Sequence, residues 1–279
     1  MATRCVILTA DDFGLSEAVN EGVERAHRDG VLTHASLMVA GDAAADAVRR
    51  ARRMPDLRVG LHLVVIEGKS VLPRTEIPAL VDARGWFPSD QMRLGLRYCF
   101  LPHVRRQLAA EIRAQFAAFA ATGLALDHAD AHKHMHLHPT IGRLMLRIGG
   151  DFGLARIRVP AEPPQVMALC GERGGGAARA LHAWTALLRR QARAAGVATT
   201  DAVFGLAWSG HMTEPRVLRL LANLPEGSSE LYFHPAARRD AALVALMPEY
   251  EHVAEQAALL SPAVRAALAQ AGKKIQLNT

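Results

Sequence analysis

Short apolar runs alternate along the chain with longer stretches whose apolar residues recur at helical spacing. The short runs predict strands at 6–10, 33–39, 58–65, 124–129, 154–159, 202–207 and 230–233. The longer stretches predict helices at 17–28, 42–53, 104–121, 139–148, 177–195, 214–221 and 251–271, the last broken at Ser261-Pro262. Alternation of this kind is typical of parallel βαβ units, so we expect an α/β fold, either a (β/α) barrel or a doubly wound sheet.

One stretch, 67–102, interrupts the alternation. It contains the aromatic residues Trp86, Phe87, Tyr98 and Phe100, which a flexible linker would not need. Long loops on a compact α/β domain are usually functional. We therefore expect a single domain over 1–279 with an ordered, partly helical insertion at about 67–102.

Composition narrows the class of protein. The chain is 50% hydrophobic and 22% charged, as in ordinary globular proteins. Its net charge of +6 comes from scattered arginines without a basic block, so we expect no nucleic acid partner. The first apolar run ends at Asp11, which is too early for the core of a signal peptide, and no apolar run has the length of a membrane span. Cys5, Cys99 and Cys170 form no CxxC pair, which fits a reducing, cytoplasmic location.

Polar side chains gather where the predicted strands end. In parallel α/β folds, reactive residues cluster at the carboxyl ends of strands. The residues at or just after these ends are Asp11, Asp12, His62, Asp130, His132, His134, His136, His138 and His234. Taken singly, each has an ordinary explanation as a helix cap, a core histidine or a metal-sticky loop. Their coincidence at one end of one sheet favours a site for a divalent cation.

The spacing of these residues divides some roles and leaves others open. Neighbouring residues that leave a strand point to different sides, so Asp11 and Asp12 suit one metal ligand and one base for water. Spacing alone does not select a ligand among the alternating histidines of 132–138. Gly60, close to His62, indicates that another group approaches the backbone there.

Four segments together resemble the YdjC-like carbohydrate deacetylases, which are similar to the wider polysaccharide deacetylases. They are TADDFG (9–14), GLHL (60–63), DAHKHMH (130–136) and YFHP (232–235). The resemblance implies a polysaccharide-deacetylase-like (β/α) barrel of about seven strands with one divalent metal ion, zinc or magnesium. It implies Asp12, His62 and His132 as metal ligands. It also implies Asp11 as catalytic base and His234 as general acid, in a reaction that removes the acetyl group from an N-acetylated sugar.

Three further segments resemble the subgroup encoded with hopanoid biosynthesis, namely 30–33, 68–73 and 209–213. In that subgroup the implied substrate is an N-acetylglucosaminyl hopanoid lipid, with contact at the inner membrane surface. Similar proteins also imply a homodimer. Residues expected to support the ligands or touch substrate are Asp130, His134, His136, His211 and Trp208.

Several alternatives stay open at this point. The substrate alternative is a chito-oligosaccharide or another acetylated carbohydrate. The alternatives in function are an amidohydrolase or two-metal phosphoesterase on the same fold, and a non-catalytic binder of a sugar lipid or of nucleic acid. The residues that could serve a lipid approach, or equally pack in the core, are Trp86, Phe87, Tyr98, Phe100, Trp208 and Met212.

Overall fold

The computed structural model describes the backbone of residues 4–172, 176–271 and 275–277, and the side chains of 4–172 and 183–270. Its strands are β1 (Arg4–Phe13), β2 (His34–Leu37), β3 (Arg58–Leu63), β4 (Ala129–Ala131), β5 (Ala202–Phe204), β6 (Gly227–Phe233) and β7 (Ile275–Leu277). Its helices are α1 (Glu17–Arg28), α2 (Ala44–Ala51), α3 (Gln91–Phe100), α4 (Pro102–Ala121), α5 (Pro139–Gly150), α6 (Pro164–Leu169), α7 (Gly176–Ala194), α8 (Glu214–Asn223), α9 (Ala241–Leu246), α10 (His252–Leu260) and α11 (Pro262–Ala271). A 3-10 helix, His132–Leu137, follows β4 directly. Among these helices, none has both the length and the apolar character needed to cross a bilayer.

The sheet is parallel throughout, in the order β4-β3-β2-β1-β6-β5, and β7 pairs with the first residues of β1. This confirms the α/β class, whereas a continuous seven-strand barrel is not confirmed. The strand predicted at 154–159 is absent from the described sheet. That stretch makes only isolated parallel bridges, from Ile157 to Ala129 and from Arg156 to Ala198. Pro160 follows it and has no backbone N–H with which to extend a ladder.

Two strands begin or end at residues other than those predicted, and this changes where the candidate aspartates lie. β1 continues through Asp11 and Asp12 to Phe13, so both aspartates lie within the strand and not beyond it. The strand predicted at 124–129 is displaced, because β4 begins only at Ala129 and carries Asp130 in its middle. Both strands are buried at these positions, so the carboxylates enter the interior of the protein.

The turn after β1 is fixed by its own side chains. Gly14 has a φ of 97°, a conformation that favours glycine, and it donates its N–H to Oδ1 of Asn20 at 2.8 Å. Asn20 in turn donates to the carbonyl of Ala43 at 2.9 Å. Ser16 caps α1, accepting from the N–H of Val19. The end of β1 is thereby held against two helices.

The 67–102 stretch is ordered, as predicted, and α3 forms its second half. Its first half is bound to α4, because the carboxylate of Glu111 accepts the N–H groups of Val71 and Leu72, each at 2.9 Å. Tyr98 donates its hydroxyl to the carbonyl of Val65 at 2.8 Å. These bonds join the insertion firmly to the rest of the molecule, and the division into domains stays a prediction.

Most of the aromatic candidates for a lipid approach belong to the core. Phe87, Tyr98, Trp208 and Met212 are buried. Of the other two, Trp86 is half-buried and Phe100 is 69% exposed on α3. Core packing therefore accounts for four of the six residues.

A buried glutamate on α10 joins two loops at the carboxyl end of the sheet. Glu255 accepts the N–H of Met212 at 2.8 Å and the N–H of His234. Burial raises the pKa of Glu255 to about 8, although the two N–H groups lower it. The loop before α8 and the end of β6 are thus held by one carboxyl group.

Gly60 lies where β3 meets the chain just before β4. A Cβ atom at this position would be 2.5 Å from the carbonyl oxygen of His128 and 2.6 Å from its ring. The close backbone approach predicted from Gly60 is confirmed, and the approaching group is His128.

We expect Gly60→Ala to lower the free energy of unfolding by about 1–3 kcal/mol, because His128 would have to move in a well-packed interior. The matched control is Gly150→Ala, where a Cβ atom meets nothing within 4 Å. The control should be neutral or slightly stabilising. Urea denaturation of both variants tests this, and equal stability of the two would contradict it.

Glu255 should make stability depend on pH. The raised pKa lets the folded protein keep the Glu255 proton up to about pH 8, whereas the unfolded chain loses it near the ordinary glutamate pKa of 4.5. Between these values the wild type should lose stability relative to Glu255→Gln as the pH rises, by up to about 1.4 kcal/mol per pH unit. Denaturation across this range checks it, with the exposed Glu76→Gln as control. A difference between Glu255→Gln and wild type that does not vary with pH would refute it.

Candidate active site

Asp11 and Asp12 are adjacent in sequence but face different partners. Asp12 has a φ of 61°, in the left-handed region, and the pairing of β1 with β2 shifts register between Ala10 and Phe13. This irregular backbone aims the Asp12 carboxylate at two histidines and the Asp11 carboxylate at an arginine. Such strain is retained where the surrounding contacts enforce it, and it is frequent at functional sites.

Asp12, His62 and His132 form a compact set of metal-ligating atoms. Oδ1 of Asp12 lies 3.3 Å from Nε2 of His62 and 3.2 Å from Nδ1 of His132. Two ligands of a tetrahedral ion with bonds of about 2.0–2.1 Å are roughly 3.3 Å apart. Oδ2 of Asp12 is buried and has no hydrogen-bond partner among the described residues. The donor types, the spacing and this spare oxygen fit a divalent cation.

Asp130 lies behind His62 and orients its ring. Oδ1 of Asp130 is 2.7 Å from Nδ1 of His62, which leaves Nε2 directed at Asp12. The hydroxyl of Ser36 donates to Oδ2 of Asp130 at 2.8 Å. A carboxylate behind a metal-ligating imidazole is a common arrangement that fixes its tautomer and orientation.

Arg158 is the centre of the buried charges and was not anticipated from the sequence. Its guanidinium pairs with Asp11 through two bonds of 2.6 and 2.8 Å. It also lies 2.8 Å from Asp130 and 2.8 Å from Glu230, and it stacks 4.8 Å from the ring of Tyr232. The available signal was Arg158, the second of two arginines in the short predicted strand 154–159.

The carboxylates outnumber the cations in this interior. Burial raises the pKa of Asp11 to about 6, although Arg158 opposes the shift. Burial alone would lower the pKa of His62, yet the carboxylates of Asp130 and Asp12 raise it to about 10. The field around His62 therefore favours positive charge, which is the condition that a cation site requires.

From the 3-10 helix, only His132 belongs to the metal-ligating set with Asp12 and His62 in the described part of the chain. Nε2 of His134 is 2.8 Å from the hydroxyl of Tyr232, and its ring contacts that of His136 edge-on. Burial lowers the pKa of His136 to about 4 and that of His134 well below its usual range, so both are neutral. His138 caps α5. Of the four alternating histidines, only His132 contacts Asp12 within the described residues.

His234 lies at the end of β6 between two tyrosine rings, with centroid distances of 4.9 Å to Tyr250 and 5.7 Å to Tyr232. Burial lowers its pKa to about 3, although Asp12 opposes the shift. Its Nδ1 is 3.9 Å from the carboxylate of Glu255. His234 is therefore a neutral imidazole near the triad, held through its backbone.

The structure leaves His211 and Trp208 outside the cluster. His211 is partly exposed and lies 3.1 Å from Glu251. Trp208 is buried and donates its indole N–H to Glu172 at 2.6 Å. Nothing in these contacts brings either side chain to the triad.

A narrow cleft opens beside His132. The half-buried Trp86 lines it, and so do Asp42 and Lys69, which form an ion pair with each other. Lys133, next to His132, pairs with Glu67 at the same place. An aromatic ring and charged groups therefore border the cleft next to His132.

Residues 5–270 match the family model described as YdjC-like protein. The chain is 30% identical over 278 residues to a carbohydrate deacetylase from Geobacillus stearothermophilus, covering 99% of this chain and 96% of that protein. It is 39% identical over 159 residues to a carbohydrate deacetylase from Brevibacillus brevis, covering 57% of this chain. In that match the chain spans only 59% of the relative's length.

A solved structure from Enterococcus faecalis V583, provisionally described as a cellobiose-phosphate cleavage protein, has a similar fold. Its TM-score is 0.76 at 23% identity, and the match covers 100% of this chain and 98% of that one. At this identity the likeness concerns the fold alone. The family match extends over nearly the whole sequence and includes every residue of the site, and the chain therefore belongs to the YdjC-like protein family.

Proposed function

We propose that this chain is a metal-dependent carbohydrate N-deacetylase with its reaction centre at Asp11, Asp12, His62 and His132. A hydrolase of the N-deacetylase type agrees with its family and with the relatives named carbohydrate deacetylases. The observation that carries the mechanism is the position of Asp11. Its carboxylate is fixed by Arg158 directly beside the Asp12–His62–His132 set.

Asp12, His62 and His132 would hold the ion. When bound, a divalent ion supplies a Lewis acid that acidifies water and polarises the amide carbonyl. Two imidazoles and one carboxylate suit zinc better than magnesium, which prefers oxygen ligands. Asp130 keeps His62 in the orientation that this requires.

Asp11 is the base in this proposal. It accepts a proton from water as that water attacks the carbonyl carbon of the acetyl group. Arg158 holds both carboxylate oxygens and so fixes the direction in which the proton is taken. The raised pKa of Asp11 makes it a stronger base than an exposed aspartate.

His234 is the proton donor to the leaving nitrogen. The C–N bond breaks, the nitrogen takes the proton, and the products are acetate and a free amine on the sugar. Burial keeps His234 neutral at rest. It would take a proton from solvent as negative charge develops on the attacked carbonyl, because that charge stabilises an imidazolium nearby, and the proton that Asp11 accepted would return to solvent.

The same geometry disfavours a two-metal phosphoesterase. Asp11, His62 and Asp130 also lie within 4.8 Å of one another and offer a second ligand set. However, Arg158 already pairs with both carboxylates of that set, at 2.6 Å and 2.8 Å. Its guanidinium supplies the positive charge that a second ion would bring.

For the substrate we propose an N-acetylglucosaminyl hopanoid lipid, met at a membrane surface by a homodimer of this chain. Support comes from the segments 30–33, 68–73 and 209–213, which resemble the hopanoid-associated subgroup. The second candidate is a chito-oligosaccharide, favoured by relatives named for carbohydrates. Both substrates present the same acetylated amino sugar to the cleft beside His132.

Asp11→Asn should keep the metal and lose turnover, because an amide cannot accept the proton. We expect a fall in kcat of roughly 10²–10⁴-fold. Asp12→Asn is the matched control and should lose bound metal as well. Metal content and acetate release measured on the same samples test this. Near-normal turnover in Asp11→Asn would remove Asp11 from the role of base.

Acetate release should occur with N-acetylglucosaminyl hopanoid and should stop when a chelator removes the ion. Chito-oligosaccharide, assayed in parallel, decides between the two substrate classes. Re-addition of zinc after chelation should restore release, since the ligands remain in place. Release that is insensitive to chelator would contradict the metal role, and release from chito-oligosaccharide alone would contradict the lipid substrate.

A further inference from the structure

Helix α3 presents a row of exposed apolar side chains. Met92, Leu96 and Phe100 are spaced by four residues and are 78%, 56% and 69% exposed. Leu94 and Tyr98, on the other face of α3, are buried. A contiguous row of large exposed apolar residues on a stable helix marks an interaction surface.

Most charges beside this row are positive, and the exception is Asp90, which caps α3 by accepting the N–H of Arg93. From Gln91 to Ala110 the sequence has four arginines and no acidic residue. Arg93 and Arg106 are exposed, whereas Arg97 and Arg105 donate to backbone carbonyls. The row therefore lies in a cationic setting, and its partner must be apolar and anionic together.

This combination favours one partner over the others. A two-fold dimer centred on the row would bring the arginines of both copies into one interface, with only Asp90 of each copy to offset their repulsion. Nucleic acid would match the arginines. However, Met92 and Leu96 are aliphatic and offer no ring on which bases could stack. The boundary of an anionic bilayer offers acyl chains to the apolar row and phosphates to the arginines.

We propose that α3 and the start of α4 form a docking surface for anionic membrane. Met92, Leu96 and Phe100 enter the boundary between headgroups and acyl chains, and Arg93 and Arg106 meet lipid phosphates. The proposed function includes contact with a membrane, and this docking surface rests on that part of it.

Helix α3 also borders a cavity of about 390 Å³ next to the 3-10 helix His132–Leu137. Gln91 and Gly95 of α3 line one side, and His134 and Trp184 line others. His134 reaches the hydroxyl of Tyr232, whose ring packs on Arg158. A molecule that leaves the bilayer along α3 would enter this cavity, which is separate from the cleft beside His132.

Co-sedimentation of the full chain with phosphatidylcholine vesicles, with and without phosphatidylglycerol, tests this surface. The wild type should bind only the anionic vesicles, and salt should weaken the binding. The variant Met92→Gln/Leu96→Gln/Phe100→Gln should bind at least roughly tenfold more weakly, and so should Arg93→Gln/Arg106→Gln. The matched control, Leu169→Gln/Val244→Gln/Val253→Gln, alters residues that are 70%, 51% and 46% exposed elsewhere and should bind like the wild type.

Three results would overturn the docking surface. They are no binding to anionic vesicles, equal binding by the α3 variants and the control, and self-association lost in the α3 variant without any vesicle binding. The last would assign the row to an interface between copies. Vesicle binding needs no turnover, so a chain that binds vesicles but releases no acetate contradicts the proposed function alone. A chain that releases acetate without binding contradicts the docking surface alone.

Discussion

The buried guanidinium of Arg158 is the interaction on which the site depends. It pairs with Asp11 of β1, Asp130 of β4 and Glu230 of β6, so one side chain joins three strands of the sheet. An ion buried without partners costs several kcal/mol, and the pairing here offsets that cost for the arginine and for the carboxylates. Without the arginine, three carboxylates would repel one another in a medium of low dielectric constant. The strand ends therefore converge because Arg158 holds their charges together.

The arginine neutralises only part of the negative charge, and the remainder shapes the triad. Asp12 is not paired with Arg158 and faces His62 and His132 instead. Asp130 is shared, since one oxygen contacts Arg158 and the other contacts His62. The excess negative charge is thereby directed to the point between Asp12 and the two imidazoles. A cation bound at that point would neutralise the remaining negative charge of the carboxylates.

Backbone strain around the site is consistent with this arrangement. Lys133 and His134 both have left-handed φ values, 51° and 52°, which for such residues cost on the order of 1–3 kcal/mol each. With this turn, His132 contacts Asp12, and His134 contacts the hydroxyl of Tyr232. Lys133 between them pairs with Glu67 of the insertion. The loop is thus fixed from both sides, and the insertion that carries α3 is joined to it.

Much of the site was determined by the sequence alone. Asp11, Asp12 and His62 stand out as polar residues in apolar runs, and parallel strands bring the carboxyl ends of such runs to one edge of a sheet. The sequence also predicted the close contact at Gly60, since only glycine leaves room there for the backbone of His128.

Tertiary structure decided what periodicity does not encode. Apolar and aromatic residues have the same pattern whether they pack inward or meet a ligand, so the burial of Phe87 and Trp208 appeared only in three dimensions. The choice of His132 among alternating histidines depended on a left-handed turn at Lys133. Arg158 was hidden for the same reason. Of the two arginines in the run 154–159, Arg156 pairs with Asp127, and only the folded structure brings the carboxylates of Asp11, Asp130 and Glu230 from three strands to Arg158.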